Sequence, residues 1–392
     1  RRCGQRLWCH ADTNARAGCS SMGNKLATFW YADVRLQRGG QLGTLPAGAS
    51  LAAQTVPNLS YSATGYPGTR EARHDWLQFL RELEYAYYDE MAAYLRTNIG
   101  YPGLIFGTIM ANSPATVQSR LDVIDGHAYW QHPQFPGTAW DPVNWRQSNI
   151  SMVNTIGDDN TLAGLARQRI KGKPFTVTEY QHPSPNYYGG EGPLMLAAYA
   201  ALQDWDGVWL FDYGYGSPAV STGYVRSYFE IGQHPTKLGN LTLAANLFRR
   251  GDARPATREY TVALTPEAEL DSLLASSAWS LFSSSKLGMS GKWAFNSRIN
   301  TAVGANAAGL TTAPAAPTGS VMTSDTGELC WDLAQPTNGL LTIDTARTKG
   351  LVGYADTRAV ALGGLTFQPG TTRLGGCTLA ATLVRGEVFT ND

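Results

Sequence analysis

The stretch KPFTVTEYQHP, residues 173–183, combines the pattern of a buried strand with a single carboxylate near its end. Phe175, Val177 and Glu179 occupy alternate positions, so all three side chains share one face of the predicted strand. A lone carboxylate at the end of an otherwise neutral strand is either a satisfied surface charge or a group with a chemical role. The segments around it decide between these two interpretations.

Strand-like and helix-like segments alternate along residues 74–254. Four near-continuous apolar runs, at residues 103–110, 125–130, 173–180 and 206–213, are typical of strands that are covered on both faces. Helical patterns lie between them. This alternation predicts right-handed βαβ units and a parallel sheet, an α/β fold. With about four βα units, it matches half of a TIM-type β/α barrel.

The helix at the start of this region has the clearest periodicity. Its apolar residues recur at steps of three and four, which predicts an amphipathic helix with one buried face. These residues are Trp76, Leu80, Leu83, Tyr87, Met91 and Tyr94.

Two flanking regions differ from the central one. Residues 1–73 contain nine basic and three acidic residues with one long apolar run, so we expect loops or order gained only by packing on the rest. Residues 255–392 contain short strand-like runs separated by Gly, Asn, Thr and Pro, which predicts an all-β domain that resembles an antiparallel sandwich. The predicted domains are therefore 1–73, 74–254 and 255–392.

The composition favours some partners over others. Eleven Trp and 19 Tyr residues with only 16% charged residues suit a surface that stacks on sugar rings. The 31 basic and 31 acidic residues balance, which gives no support for nucleic-acid binding. No apolar run approaches the roughly 20 residues of a membrane helix. We therefore expect neither a nucleic acid nor a membrane as partner.

The cysteines predict free thiols. Five Cys residues cannot all pair within one chain, and the spacing of Cys3, Cys9, His10 and Cys19 matches no standard zinc finger. We expect neither a metal nor a cofactor. Residues 1–25 have no apolar core segment of the kind that a signal peptide carries.

Polar side chains lie at the carboxyl ends of three predicted strands: His127 and Tyr129 on the first, Glu179 on the second and Asp212 on the third. The carboxyl ends of parallel strands meet at one edge of a sheet, where active sites of α/β proteins lie. His127 and Tyr129 share a face, and we expect Tyr129 to come within hydrogen-bond range of Glu179. Three such strand ends together predict a functional cleft.

With these residues in place, residues 75–250 resemble the carboxyl-terminal half of a clan A glycoside hydrolase, an eight-stranded β/α barrel. The resemblance rests on the His-x-Tyr at a strand end, His127 and Tyr129, and on Glu179 closing the next-to-last strand. It implies that Glu179 is the nucleophile of a retaining hydrolase of β-linked glycans, that Tyr129 orients it, and that His127 lines the floor of the sugar site. A following β-sandwich is also common in such enzymes. A secreted or periplasmic location would suit such an enzyme.

Aromatic and polar residues near the strand ends are candidates for binding an oligo- or polysaccharide. They are Trp130, His132, Trp140, Tyr187, Trp209 and Asp212.

The sequence departs from the clan at the acid/base residue. Retaining hydrolysis needs two carboxyl groups roughly 5 to 5.5 Å apart. The clan's acid/base is a Glu after an Asn on the fourth strand, and residues 1–73 contain no Asn-Glu dipeptide. Three explanations stay open: a fragment of a longer gene product, two copies that rebuild a barrel, or residues 1–73 covering the open edge. Because an open half barrel exposes strand edges, we expect a homo-oligomer.

Three other functions are open at this point. A sugar-binding protein without catalysis would keep the cleft and lack the acid/base. An esterase would use Ser290 in LGMSG, although the Gly-x-Ser-x-Gly spacing is absent. A metal hydrolase would use His127, His132, His182 and Glu179, although no standard ligand spacing supports it.

Overall fold

The computed structural model of the chain places its secondary structure in two compact units. One unit comprises Arg1–Tyr101 and Pro266–Leu281, and the other comprises Pro102–Thr265 and Phe282–Asp392. The structure describes residues 10–11, 17–18, 48, 50, 52–55, 60–62, 69–157, 160–214, 223–276, 278–279, 288–304, 314–334, 339–353, 359–369 and 379–381. Most of residues 1–73, predicted to be largely loop, lie outside the described residues, as do Cys3, Cys9, Cys19 and Cys377.

The described residues form mixed α and β structure. The helices are α1 (Arg70–Thr97), α2 (Ala115–Gln118), α3 (Thr161–Ala166), α4 (Glu191–Leu202), α5 (Pro235–Phe248) and α6 (Pro266–Leu274). The strands are β1 (His10–Ala11), β2 (Ala17–Gly18), β3 (Ile124–Tyr129), β4 (Phe175–Gln181), β5 (Gly207–Leu210), β6 (Glu259–Leu264), β7 (Arg298–Val303), β8 (Val321–Thr323), β9 (Leu329–Asp332), β10 (Leu340–Asp344), β11 (Lys349–Gly353), β12 (Val360–Leu362), β13 (Leu365–Pro369) and β14 (Leu379–Ala381).

The sheet that carries the strand ends of interest is parallel, with the order β3–β4–β5. Phe175 and Val177 of β4 are completely buried, and every residue of α4 is buried as well. The run at 103–110 was predicted to be a strand. It contributes only one parallel bridge, from Phe106 to Val123 at the outer side of β3. The βαβ alternation is therefore present for three strands.

A second parallel pair corrects the prediction for residues 255–392. β6 was predicted to belong to an antiparallel sandwich, but it pairs in parallel with β7 over its whole length. A parallel bridge between Ile170 and Thr301 lies beside this pair. Apolar periodicity identifies a strand but carries no information about its partner or direction, and for this reason β6 was misplaced.

Antiparallel sheets form the later part of the chain, as predicted. One has the order β11–β10–β9–β8 and another the order β12–β13–β14. Trp331 of β9 is completely buried, and its indole Nε1 donates to the carbonyl of Val153 at 2.7 Å. Cys330, on the same strand, is a free thiol.

Helix α1 forms where the periodicity predicts it, but its apolar face is not covered along its second half. The side chains buried on α1 are Ala72, Arg73, Leu77 and Arg81, all in its first half. Arg81 lies 3.8 Å from the carboxylate of Glu269 on α6. The exposed apolar stripe consists of Phe79, Leu83, Tyr87, Met91 and Tyr94, each 40–57% exposed.

Candidate functional site

A register shift between β3 and β4 sets the geometry of the site. Gly126 pairs with Val177, and the next residue, His127, pairs with Glu179, so Thr178 has no opposite partner on β3. Such a bulge re-aims the side chains that follow it. As a result, His127, Thr178 and Glu179 come together near the carboxyl end of the sheet.

Tyr129 and Glu179 are in direct contact. The Tyr129 hydroxyl donates a short hydrogen bond to Oε2 of Glu179, whose side chain is 32% exposed. Burial, together with the hydrogen bond to Glu179 and its charge, raises the pKa of Tyr129 well above its ordinary value. Tyr129 therefore acts as a neutral donor, and the remaining face of the carboxylate is accessible to a ligand.

His127 lies between two carboxylates. Its Nδ1 is 3.3 Å from Oε2 of Glu179, and its Nε2 is 3.3 Å from Oδ2 of Asp125. Nε2 also lies 2.8 Å from the Thr178 hydroxyl. Asp125 and Thr178 were not recognised from the sequence. The alternation of residues 125, 127 and 129 along β3 does place Asp125 on the face of His127, but the contact of Thr178 depends on the bulge.

Aromatic rings enclose the inner side of Tyr129. Its ring lies 4.6 Å from Phe229, 5.9 Å from Phe211 and 5.6 Å from His132, measured between centroids. His132 in turn packs edge-on against Trp140 at 5.4 Å. These rings hold Tyr129, and through it Glu179, in one orientation. Phe211 and Phe229 were not predicted, because an isolated aromatic residue in a sequence is most often a core residue.

The other predicted sugar-binding residues differ in exposure. Trp140, Tyr187 and Trp209 are 57%, 76% and 53% exposed, which leaves their rings open to solvent. Trp130 is buried, and its Nε1 donates to the carbonyl of Ile150 at 2.8 Å. Asp212 has a left-handed backbone with φ of 58°, and its burial and the charge of Glu230 raise its pKa. Their roles in binding stay predictions.

A buried polar cluster lies behind the end of β4. His182 is fully buried, and its Nε2 is 3.0 Å from the Tyr180 hydroxyl. The Lys237 ammonium of α5 donates to the His182 carbonyl at 2.5 Å and lies 3.5 Å from the Ser184 hydroxyl. Glu191, the first residue of α4, accepts hydrogen bonds from Ser151 and from two backbone amides. These contacts fix the segment that follows Glu179.

Lys237 makes the stability of the fold depend on pH. Its side chain is only 1% exposed, and burial lowers its pKa from 10.5 to about 7. Between these values the unfolded chain binds a proton that the native chain does not, so the free energy of unfolding rises with pH, by at most about 1.4 kcal/mol per pH unit. Relative to Lys237→Met, the wild type should therefore gain stability between pH 7 and pH 10 in urea titrations.

The matched control is Lys171→Met, which removes a lysine whose side chain is 43% exposed. A stability difference between wild type and Lys237→Met that stays constant from pH 7 to pH 10 would contradict the burial argument.

The described part of the chain gives no support to the metal hydrolase or to the esterase. Within the ranges given above, no group of three or more His, Cys, Asp or Glu residues is arranged to hold a metal ion. Ser290 precedes a short 3-10 helix, Gly291–Phe295, and its hydroxyl accepts from the backbone N–H of Lys292. Ser290 thus serves as a helix cap.

Comparison with known proteins found no matching family model, no similar curated protein and no similar solved structure. Among the described residues, no helix combines the length and the apolar character that crossing a membrane requires.

Proposed function

We propose that the protein is a retaining glycoside hydrolase that acts on a β-linked glycan, with Glu179 as its nucleophile. The observation that carries the proposal is the contact between Tyr129 and Glu179 at the carboxyl end of β4. A neutral, half-buried hydroxyl orients a carboxylate that remains one-third exposed. A nucleophile needs both this fixed orientation and this access.

The sheet supports a half barrel as the scaffold for this function. Parallel pairing runs in the order Phe106, β3, β4, β5, with α3 between β3 and β4 and α4 between β4 and β5. In a β/α barrel the residues at the carboxyl ends of the strands carry the chemistry. Glu179 and Tyr129 occupy that position.

The proposed reaction has two steps. One oxygen of Glu179 attacks the anomeric carbon, the bond from that carbon to the leaving oxygen breaks, and the leaving oxygen takes up a proton. Water then attacks the same carbon and releases Glu179, and the proton lost by the water completes the balance. Two inversions at one carbon retain the anomeric configuration.

Among the described residues, the hydrogen-bond network of Glu179 offers no carboxyl group free to protonate the leaving oxygen. Asp125 shares its hydrogen-bond network, but Asp125 is buried behind His127 and accepts hydrogen bonds from Thr176 and Thr178. A carboxylate occupied in this way is not directed at a leaving group. We therefore propose that catalysis depends strongly on how good the leaving group is.

The proposal is tested by following a panel of aryl β-glycosides and matched aryl α-glycosides with NMR. We expect release of the aryl alcohol from a β-glycoside, with the β-anomer of the sugar formed first. First formation of the α-anomer would contradict a nucleophilic Glu179.

Sugar binding without catalysis is the second candidate. It is favoured because the described residues around Glu179 include no carboxyl group that is free to act as a proton donor. Under that function, calorimetry with an oligosaccharide would show binding, the panel of aryl glycosides would show no turnover, and Glu179→Gln would leave the affinity unchanged.

We also propose that two or more copies associate. The stripe on α1 defined above exposes five large apolar side chains in one unit, and Leu104 and Phe106 are 60% and 44% exposed at the edge of the other. Apolar surfaces of this kind mark interaction sites.

Light scattering should show a dimer or larger species, and the double substitution Leu83→Lys with Tyr87→Lys should weaken the association. Ala93→Lys, an exposed position off the stripe, is the control, and a monomer at all concentrations would contradict the proposal.

A further inference from the structure

The side chain of Asp125 accepts three hydrogen bonds. Its Oδ1 accepts from the Thr176 hydroxyl at 2.7 Å and from the backbone N–H of Thr178 at 3.1 Å, and its Oδ2 accepts from the Thr178 hydroxyl at 2.5 Å. In the contact with Oδ2 the Thr178 hydroxyl is the donor, so its single hydrogen is used on Asp125.

The Thr178 hydroxyl is therefore an acceptor toward His127. Its oxygen lies 2.8 Å from Nε2 of His127, a hydrogen-bond distance that requires a hydrogen on one of the two atoms. Because the hydroxyl hydrogen is directed at Asp125, this hydrogen belongs to Nε2. Oδ2 of Asp125, 3.3 Å from the same nitrogen, is a second acceptor on that side of the ring.

The other ring nitrogen faces Glu179. Nδ1 of His127 lies 3.3 Å from Oε2 of Glu179, and that oxygen also accepts from Tyr129. With Nε2 protonated, a neutral ring would leave the lone pair of Nδ1 3.3 Å from the carboxylate oxygen, which is repulsive. A proton on Nδ1 removes the repulsion and makes the contact an attractive ion pair.

We propose that Asp125, acting through Thr178, is a positioning residue that keeps the proton of His127 on Nε2, and that the ring therefore carries a second proton on Nδ1, beside Glu179. In this arrangement His127 is an imidazolium between the carboxylates of Asp125 and Glu179. The role of the arrangement in catalysis rests on the proposed function: the imidazolium holds the side chain of Glu179 in place until it attacks.

The test is nitrogen NMR of the histidine side chains of the full chain at neutral pH, after labelling with 15N-histidine. The chain has six His residues, and the signals of His127 are assigned by their loss in His127→Gln. In the wild type both nitrogens of His127 should be protonated. In Glu179→Gln the proton on Nδ1 should be lost while Nε2 keeps its own, giving a neutral ring.

Variants at Asp125 and Thr178 distinguish a positioning role of these residues from a merely structural one. Asp125→Asn and Thr178→Val should each lower the protonated fraction of His127, whereas Thr178→Ser, which keeps the hydroxyl, should restore the wild-type signals. Thr176→Val is the matched control, because it removes a donor to Asp125 on the same strand and leaves the path through Thr178 intact. If Asp125→Asn fails to fold, the Thr178 pair carries the test.

Two results overturn the proposal: a neutral His127 in the wild type, with its proton on either nitrogen, or His127 signals that ignore both Asp125→Asn and Thr178→Val. The measurement needs no sugar. A protonated His127 in a protein without glycosidase activity would leave this proposal standing and overturn the proposed function. A neutral His127 in an active glycosidase would do the reverse.

Discussion

Glu179→Gln should lower the turnover of an aryl β-glycoside by at least about 1,000-fold, a loss of about 4 kcal/mol of transition-state stabilisation. The amide cannot form the glycosyl ester, but its oxygen can still accept from Tyr129. Since the side chain is one-third exposed, the free energy of unfolding should change by less than about 1 kcal/mol. Steady-state kinetics and thermal unfolding of the same preparation measure both quantities.

The matched control is Glu259→Gln. The side chain of Glu259 is 28% exposed and contacts Asn300 and Lys171, so it matches Glu179 in exposure and in having two polar neighbours. We expect near wild-type turnover from it. Equal rates in Glu179→Gln and Glu259→Gln would exclude Glu179 as the nucleophile.

The second large effect concerns the leaving group. A general acid typically contributes about 100- to 10,000-fold when the leaving oxygen needs a proton. Because Asp125 is buried and bonded to Thr176 and Thr178, we expect no such contribution from it. Aryl glycosides with an acidic phenol should be cleaved, and the matching oligosaccharide should be slower by a factor of this size. Initial rates on both substrates, compared at saturation, measure the difference.

Adding azide tests in a second way whether an acid/base residue is present. Hydrolysis of the glycosyl-enzyme normally needs a base to activate water, and azide needs none. Azide should therefore speed turnover of the aryl glycoside and give a glycosyl azide of retained configuration, identified by NMR. Fast cleavage of the oligosaccharide that ignores azide would mean that an acid/base is present, supplied by a residue such as Glu71 or by a neighbouring copy.

The sequence alone was sufficient to predict the contact between neighbouring strands at the centre of the site. Alternation on β3 and β4, with the parallel pairing that βαβ units impose, leads directly to the contact between Tyr129 and Glu179. The link from Asp125 through Thr178 to His127 depends on the bulge beside Gly126. An isolated Gly in a strand often marks a bulge, but it does not state which residue of the neighbouring strand is left unpaired.

Long-range packing was the other limit of the sequence. The periodicity of α1 predicts the helix correctly, yet Leu83 and Tyr87 of the predicted apolar face are more than half exposed, because periodicity does not state what covers a face. The parallel pairing of β6 with β7 is a similar case. Their partners are distant in sequence, and only the folded chain shows them.

The most direct test of a nucleophilic Glu179 is to trap the glycosyl-enzyme. An aryl β-glycoside with fluorine beside the anomeric carbon and a good leaving group slows the release step more than a simple glycoside does, so the covalent intermediate accumulates. Mass spectrometry of the digested protein should then find the fluorosugar on the peptide that contains Glu179, at the side chain of that residue. A label on another carboxylate, or no label although the aryl alcohol is released, would contradict the assignment.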